Sequence, residues 1–153
     1  MAVDFATFLN VAPHILNSRL PVLIRGRHGV GKSEVVYMIA EQRGMPVVER
    51  RASQMTEGDL LGLPDTADTA INGRKCTTWN APDWLVTACE QPVVLFLDEV
   101  DRATVEVRQG LFELTDSRKI NGWSLHPDTL IIAAVNGGEH GAQYQVGEMD
   151  PAE

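Results

Sequence analysis

The residues from Gly26 to Ser33 read GRHGVGKS, a glycine-rich segment that ends in a lysine and a serine. They match the pattern G-x-x-x-x-G-K-[ST] at every fixed position, and they lie between an apolar, strand-like segment and a helix-like one. In this pattern backbone N–H groups surround phosphate oxygens, the lysine reaches the outer phosphates, and the hydroxyl binds Mg²⁺. We therefore predict a nucleotide site.

The predicted nucleotide contacts are consecutive in the chain: Gly26, Arg27, His28, Gly29, Val30, Gly31, Lys32, Ser33 and Glu34. Lys32 is also predicted to act in catalysis, because its ammonium can stabilise charge on the transferred phosphate. Ser33 is predicted to be a ligand of Mg²⁺. A simple glycine-rich turn is the alternative interpretation of the segment.

Two acids, Asp98 and Glu99, end the apolar segment VVLFLDE. Ligands of parallel α/β sheets bind at the carboxyl ends of the strands, which is where these acids are expected. Asp98 is predicted to hold Mg²⁺, and Glu99 is predicted to polarise the water that attacks the terminal phosphate of ATP. The alternative is that either acid caps the helix that follows. The pair favours an ATP-hydrolysing machine over a small-molecule kinase or a GTPase switch.

Asn136 is the polar residue that ends a second apolar segment, LIIAAVN. If this segment is a strand between those leading to Lys32 and Asp98, the Asn136 amide faces the terminal phosphate and can orient the attacking water. We therefore predict a catalytic role for Asn136. The alternative is an ordinary Asn-Gly-Gly turn.

Strands and helices must alternate along the chain to bring these residues together. Four short apolar segments predict buried strands: PVLIR, MPVVER, PVVLFLDE and DTLIIAAVN. Helices are predicted from Asp4, over KSEVVYMIAEQRG, over APDWLVTACEQ, and over TVEVRQGLFELTDS. This alternation is typical of a single α/β domain, a three-layer α/β/α arrangement with a parallel sheet.

Several details of the helices and turns are also predicted. Pro13 is expected to bend or end the first helix. The apolar face of the last helix is expected to include Val105, Leu111, Phe112 and Leu114. Asn-Gly pairs at 72–73 and 121–122 predict two β-hairpins. The tail from Gly137 to Glu153 has little periodicity and is expected to be loop.

Composition narrows the function classes further. The 153 residues suffice for one domain with a real core, and 44% of them are hydrophobic. A net charge of −8 argues against non-specific nucleic-acid binding, which needs a positive field. Cys76 and Cys89 are too few for a disulfide framework or a zinc site. Because no signal peptide and no membrane-length apolar run is visible, a cytoplasmic location is expected.

The ordered set of motifs resembles the AAA+ ATPases, and within them the MoxR-type branch. GRHGVGKS resembles Walker A, VVLFLDE resembles Walker B, VDRA is similar to the MoxR-type INRA, and Asn136 matches the sensor 1 position. GDLLG before a hairpin and RKINGWSLHP before the last predicted strand resemble the two hairpin insertions of this clade. Trp123 and the Arg74–Lys75 pair on these hairpins become candidates for partner contacts.

The resemblance implies a fold, a cofactor and partners. The family sheet has the order 5-1-4-3-2, and here we expect the order 1-4-3-2 with the fifth strand absent. ATP and Mg²⁺ are the implied ligands, with hydrolysis in a homo-oligomeric ring, usually a hexamer. The implied role is chaperone-like remodelling of a protein partner, often one with a von Willebrand factor A domain.

The chain stops at GEMDPAE, where relatives of this family continue into an arginine finger and a helical lid. We therefore expect residues 1–153 to form one nucleotide-binding (large) subdomain without the lid, either as a fragment or as an unusually short protein. The strand PVLIR is then expected to be an open sheet edge. Turnover is expected to be weak, because such a finger supplies roughly 10³-fold or more, and the chain is expected to be largely monomeric with ATP.

Three other functions stay open at this point. A P-loop kinase is disfavoured, because Glu99 follows Asp98 and no arginine-rich phosphate lid is evident. A nucleotide-binding scaffold with little turnover is compatible with the short C-terminus. A DNA-acting AAA+ protein is disfavoured by the acidic charge.

Overall fold

The fold is an α/β domain with one central sheet. The computed structural model describes residues 2–3, 5–26, 31–65, 70–71, 74–136 and 143–146. The helices are α1 (Phe5–Asn17), α2 (Lys32–Arg43), α3 (Glu57–Leu61), α4 (Asp83–Glu90) and α5 (Val105–Ser117), with 3₁₀ turns at Ala52–Gln54 and Val100–Arg102. The strands are β1 (Ala2–Val3), β2 (Val22–Arg25), β3 (Val47–Arg51), β4 (Leu63–Asp65), β5 (Ala70–Ile71), β6 (Arg74–Lys75), β7 (Thr78–Asn80), β8 (Val94–Asp98), β9 (Lys119–Ile120), β10 (Trp123–Ser124), β11 (Leu130–Val135) and β12 (Gln143–Val146).

The central sheet has six strands in the order β1-β12-β2-β11-β8-β3. The run β2-β11-β8-β3 is parallel throughout. It is the predicted order 1-4-3-2 of the four apolar segments. The prediction of a three-layer parallel α/β fold is therefore confirmed.

Both faces of the central strands β8 and β11 are covered, which explains why these strands are apolar runs. Strand β3, at the edge of the sheet, is only partly buried, so the prediction of a buried strand is wrong there. All six residues of β11 are buried, and so are Val94 to Leu97 of β8. Successive residues enter different cores: Leu95 lies in the cluster with α4 and α5, and Phe96 lies in the cluster with α1 and α2. The alternation follows from the two-residue period of a strand.

The strand β2 is not an open edge, so the prediction for PVLIR is wrong. Strand β12 pairs with β2 in antiparallel register, from Gln143 opposite Arg25 to Val146 opposite Val22, and β1 pairs with β12 in turn. The prediction of loop is therefore wrong for residues 143–146, and the other residues of the tail lie outside the described part of the chain. This pairing satisfies the backbone N–H and C=O groups that β2 would otherwise expose. These hydrogen bonds explain why β12 pairs with β2 although only every second residue of QYQV is apolar.

Helix α1 does not end at Pro13 but continues to Asn17 with Pro13 inside it. A proline inside a helix removes one hydrogen bond and clashes with the preceding turn. Here burial of Ala12 and Leu16, on either side of Pro13, outweighs that penalty. The Arg43 guanidinium also donates to the Pro13 carbonyl oxygen at 2.9 Å and holds this turn against α2.

The buried face of α5 differs from the predicted one at its first residue. Val105 is 59% exposed, whereas Val107, Leu111 and Leu114 are fully buried. Val107 and Leu111 are four residues apart and lie on the same face of the helix, the one that packs on the core. Val105 lies off this face. Phe112 packs partly buried against the same core.

Both predicted hairpins have paired strands. Strands β9 and β10 pair around Asn121 and Gly122, whose φ angles of 49° and 85° are those of the tight turn that an Asn-Gly pair favours. Strands β5 and β6 also pair, although their turn at 72–73 lies outside the described residues. Trp123 packs against the core cluster, which argues against its use as a partner contact.

No helix in the described part of the chain is both long and apolar enough to cross a bilayer.

Candidate functional site

The site lies at the carboxyl edge of the parallel strands, where β2, β11 and β8 end beside one another. Arg25 at the end of β2 is opposite Val135 at the end of β11, and the next backbone N–H, that of Gly26, donates to the Val135 carbonyl oxygen at 3.2 Å. Asp98 ends β8 on the other side of β11. The strand order alone therefore brings together the segments that carry Lys32, Asn136 and Asp98.

Lys32 is a buried cation, with only 8% of its surface exposed. Its Nζ donates to the carbonyl oxygens of Gly26 at 2.9 Å and Val135 at 3.3 Å. A third bond, of 3.2 Å, goes to Oδ1 of Asn136. An ammonium has three donors, and all three have partners here. These bonds hold the lysine at the carboxyl ends of β2 and β11, where phosphate oxygens can replace the Asn136 contact.

The first turn of α2 carries the next group of predicted contacts, Lys32, Ser33 and Glu34. Its N-cap is Gly31, in the left-handed region with φ 80°, and no side chain caps it. The amides of such a turn and the helix macrodipole favour an anion. Ser33, in this turn, is half-buried, and Glu34 is exposed. The predicted contacts Arg27, His28, Gly29 and Val30 lie outside the described residues.

Asp98 and Glu99 follow each other but face different neighbours. Oδ1 of Asp98 accepts the backbone N–H of Glu99 at 2.8 Å, so this carboxylate also closes the turn after β8. Glu99 itself is in the left-handed region with φ 54°, an uncommon conformation for a residue other than glycine. The backbone thus turns sharply at Glu99, and the two carboxylates have different hydrogen-bond partners.

The carboxylate of Glu99 is held from the β3 side of the site. The hydroxyl of Ser53 donates to Oε2 of Glu99, and Nε of Arg51 lies 3.9 Å from the same oxygen. Sequence reasoning missed both residues. The signal was their position: Arg51 ends β3 at the carboxyl edge and Ser53 follows it, where ligand-binding residues of parallel sheets are found.

Asn136 joins both sides of the site. Its side chain accepts from Lys32, and its backbone N–H donates to Oδ1 of Asp101 at 3.4 Å. Asp101 belongs to the 3₁₀ turn after Glu99. The end of β11 is thereby bonded to the turn that follows β8. Asp101 was also missed by sequence reasoning.

The donor set fits magnesium better than a transition metal. Where the structure describes the chain, no three His, Cys, Asp or Glu side chains gather as a metal cage. Mg²⁺ is usually bound by one or two protein oxygens together with water and substrate phosphates. A carboxylate from Asp98 and a hydroxyl from Ser33 supply such oxygens.

Comparison with known proteins agrees with this geometry. The sequence profile of the AAA domain (dynein-related subfamily) matches residues 21–152, which is most of the chain. Protein CbbQ of Hydrogenophilus thermoluteolus is 29% identical over 133 residues, covering 82% of this chain and 47% of CbbQ. Midasin of Giardia intestinalis is 35% identical over 105 residues, covering 68% of this chain and 2% of midasin. The chain thus spans under half the length of these curated relatives.

Solved structures show the same fold at low sequence identity. The RuvB Holliday junction branch migration motor of Thermotoga maritima aligns with a TM-score of 0.55 and 19% identity, over 87% of this chain and 38% of that one. A closed-state reconstruction of Hsp104 with ATPγS and FITC casein aligns with a TM-score of 0.58 and 20% identity, over 85% and 24%. The profile match and the two curated relatives show that the chain belongs to the AAA domains of the dynein-related subfamily and is an AAA+ ATPase of the MoxR type.

Proposed function

We propose that residues 1–153 form the nucleotide-binding subdomain of an ATP-hydrolysing machine. The observation that carries the proposal is the meeting of Lys32, Asn136 and Asp98–Glu99 at one edge of the sheet, beside the uncapped first turn of α2. A buried lysine, a polar amide and two acids at this edge are the groups that phosphoryl transfer to water requires.

Each residue has a distinct role in this proposal. Lys32 and the amides of the first turn of α2 bind the outer phosphates of ATP. Ser33 and Asp98 would hold Mg²⁺, which supplies charge neutralisation at the phosphates when bound. Glu99 accepts a proton from the attacking water, and the Asn136 amide orients that water.

The contact between Ser53 and Glu99 bears on turnover. With its carboxylate bonded to Ser53 and close to Arg51, Glu99 has fewer lone pairs for a water molecule. A general base must be within hydrogen-bond reach of the proton that it takes. We infer that Glu99 exchanges the Ser53 contact for the water before hydrolysis.

For the whole protein we propose a homo-oligomeric ring that remodels a protein partner, including a partner with a von Willebrand factor A domain. The likeness to CbbQ and the MoxR-type membership support this role. The net charge of −8 supports a protein partner over nucleic acid. A cytoplasmic location belongs to the same proposal.

The decisive experiment separates binding from hydrolysis. We expect Glu99→Gln to retain ATP affinity by calorimetry and to lose release of inorganic phosphate, because the amide keeps the shape of the side chain and cannot accept the proton. Glu106→Gln, an exposed glutamate of α5, is the matched control and is expected to hydrolyse ATP normally. Undiminished phosphate release by Glu99→Gln would reject Glu99 as the base. Phosphate transfer to a small acceptor would favour a kinase.

A further inference from the structure

A small cavity lies at the amino edge of the central sheet, at the opposite end of β2 from the phosphate loop. Its volume is about 90 Å³, and Arg118, Arg19, Leu20, Pro21, Phe112 and Asp116 are among the residues that line it. Pockets for drug-sized ligands are several times larger, about 300–1,000 Å³. The cavity therefore suits one small functional group, not a nucleotide.

Arg118 brings an uncompensated positive charge to this cavity. The residue is half-buried, and its Nη2 donates to the carbonyl oxygens of His126 at 2.9 Å and Thr129 at 2.6 Å. Within the described part of the chain it has no carboxylate partner. Burial, and then the neighbouring charge of Arg19, lowers the pKa of the guanidinium. A half-buried cation of this kind is stabilised by an anion.

The other charges at the cavity do not supply that anion. Asp128 is 3.0 Å from Arg19, and both side chains are more than half exposed, so this pair is largely screened by water. Asp116 is exposed at the rim and makes no ion pair with Arg118 among the described residues. Arg19 and Arg118 follow the last turns of α1 and α5, whose macrodipoles account for only about half a charge each.

Beside the arginines the cavity has an apolar wall. Leu20 is 43% exposed, whereas most large apolar side chains of the described residues are buried. Pro21 and Phe112 also line the cavity. A ligand that matches both features has a carboxylate next to an aliphatic side chain. An exposed ion pair alone contributes at most about 1 kcal/mol, so a free acid would bind weakly. A carboxylate on the surface of a protein partner is not limited in this way, because neighbouring contacts of the partner add to the binding free energy.

We propose that this cavity is a docking site for an acidic side chain of a protein partner, with the carboxylate on Arg118 and an adjacent aliphatic residue on Leu20. Because the two carbonyls use both hydrogens of Nη2, the carboxylate would accept a charge-assisted hydrogen bond from Nε–H or from Nη1–H of Arg118. Strand β2, four residues and about 13 Å long, separates the cavity from Gly26, so an occupant leaves the nucleotide site open. The proposal does not depend on ATP hydrolysis.

The test uses the 153-residue chain labelled with ¹⁵N-arginine and the tripeptide acetyl-Leu-Glu-Leu-amide as the ligand. We expect saturable movement of the Arg118 Nε–Hε resonance, with none from acetyl-Leu-Gln-Leu-amide or from inorganic phosphate at equal ionic strength. Arg118→Gln is expected to weaken tripeptide binding roughly tenfold, because a charge-assisted hydrogen bond is lost. Lys119→Gln removes the same charge from an exposed neighbour and is expected to bind the tripeptide normally.

Two results with the parent chain and Arg118→Gln would overturn the proposal. One is an equal response of Arg118 to phosphate or to the glutamine tripeptide, which would make the cavity an unselective anion site or an apolar one. The other is unchanged affinity in Arg118→Gln. Arg118→Lys, which keeps the charge but lacks the Nε–H and Nη1–H donors of the guanidinium, covers the case in which the glutamine variant does not fold. Its affinity is expected to fall several-fold, and unchanged affinity there would also reject the proposal.

Discussion

Lys32 and Thr129 are polar side chains buried at opposite edges of the same sheet, and the structure uses them differently. Thr129 is fully buried, and its hydroxyl bonds only to backbone: the carbonyls of Ala88 at 2.9 Å and Gln91 at 3.2 Å, and the N–H of Val93 at 3.3 Å. Lys32 shares its third bond with another side chain, that of Asn136. A buried polar group that bonds only to backbone stabilises the fold, whereas one that bonds to a side chain at the carboxyl edge of the sheet can exchange that partner for a ligand.

The largest effect is expected from Lys32→Ala on ATP affinity. Loss of the charged contact to the outer phosphates should weaken binding at least ~100-fold, since each charge-assisted hydrogen bond contributes about 1.5–3 kcal/mol. Calorimetric titration with Mg-ATP measures the change, and Lys119→Ala controls for loss of one positive charge. An unchanged dissociation constant would remove Lys32 from the phosphate site and end its contrast with Thr129.

Thr129→Val should show the opposite pattern. We expect the free energy of unfolding to fall by about 1–3 kcal/mol, because the N–H of Val93 and two carbonyls lose their buried partner, while ATP affinity stays within about twofold. Urea denaturation gives the first quantity and calorimetry the second. Thr87→Val, on the surface of α4, is the control and should change stability by at most about 0.5 kcal/mol. A selective loss of ATP affinity would contradict the structural role.

Ser53→Ala tests whether the bond to Glu99 restrains the base. If it does, the rate of phosphate release at saturating ATP should rise about fivefold, the equivalent of one hydrogen bond of about 1 kcal/mol. ATP affinity should not change. Ser124→Ala, at an exposed position of β10, is the control. A fall in the rate would instead show that Ser53 aligns Glu99 for catalysis.

The smallest effect is expected from a polar group that lies on the surface, away from both edges. Asp59 accepts the backbone N–H of Thr56 at 2.9 Å, and this bond, followed by that of the Thr56 hydroxyl, lowers the pKa of the carboxyl below its ordinary value of 3.8. A lowered folded-state pKa stabilises the fold above the unfolded value, and the stabilisation disappears as pH falls through the lowered pKa.

Asp59→Asn should therefore lower the unfolding free energy by roughly 0.3–1 kcal/mol at pH 7, as for a charge at a helix N-terminus. Near pH 2 the variant and the parent chain should differ much less. Urea denaturation at both values measures this. A difference that is the same at both pH values would mean that the charge of Asp59 is irrelevant.

Much of the fold was predictable, because four apolar segments and their intervening helices leave few arrangements of a parallel sheet. The placement of Asp98 and Asn136 at the ends of the strands adjacent to β2 followed from the same reasoning. Strand β12 was not predictable, since QYQV lacks the apolar run that marks the other strands, and its pairing depends on an edge present only in the folded sheet. The continuation of α1 through Pro13 likewise depends on tertiary burial of Leu16.

Within the site, the contact of Ser53 and Arg51 with Glu99 was beyond sequence reasoning. Ser53 and Glu99 are far apart in the sequence, because α3, β4 to β7 and α4 lie between them. Local patterns identify a residue that can do chemistry, but its resting partner is set by strand adjacency: Arg51 is opposite Asp98 in the register of β3 and β8. Such a partner is visible only once the sheet order is known.

The position of β12 also has a consequence for how the chain folds. The strand at the end of the described sequence pairs with β2 and with β1, which lie near its start. Contacts between such distant segments require a large loop-closure entropy and slow the search for the native topology. During synthesis on the ribosome, the parallel core from β2 to β11 can assemble first. Until β12 emerges, the unpaired edge of β2 can pair with strands of other chains. We therefore expect a chaperone to act at this edge.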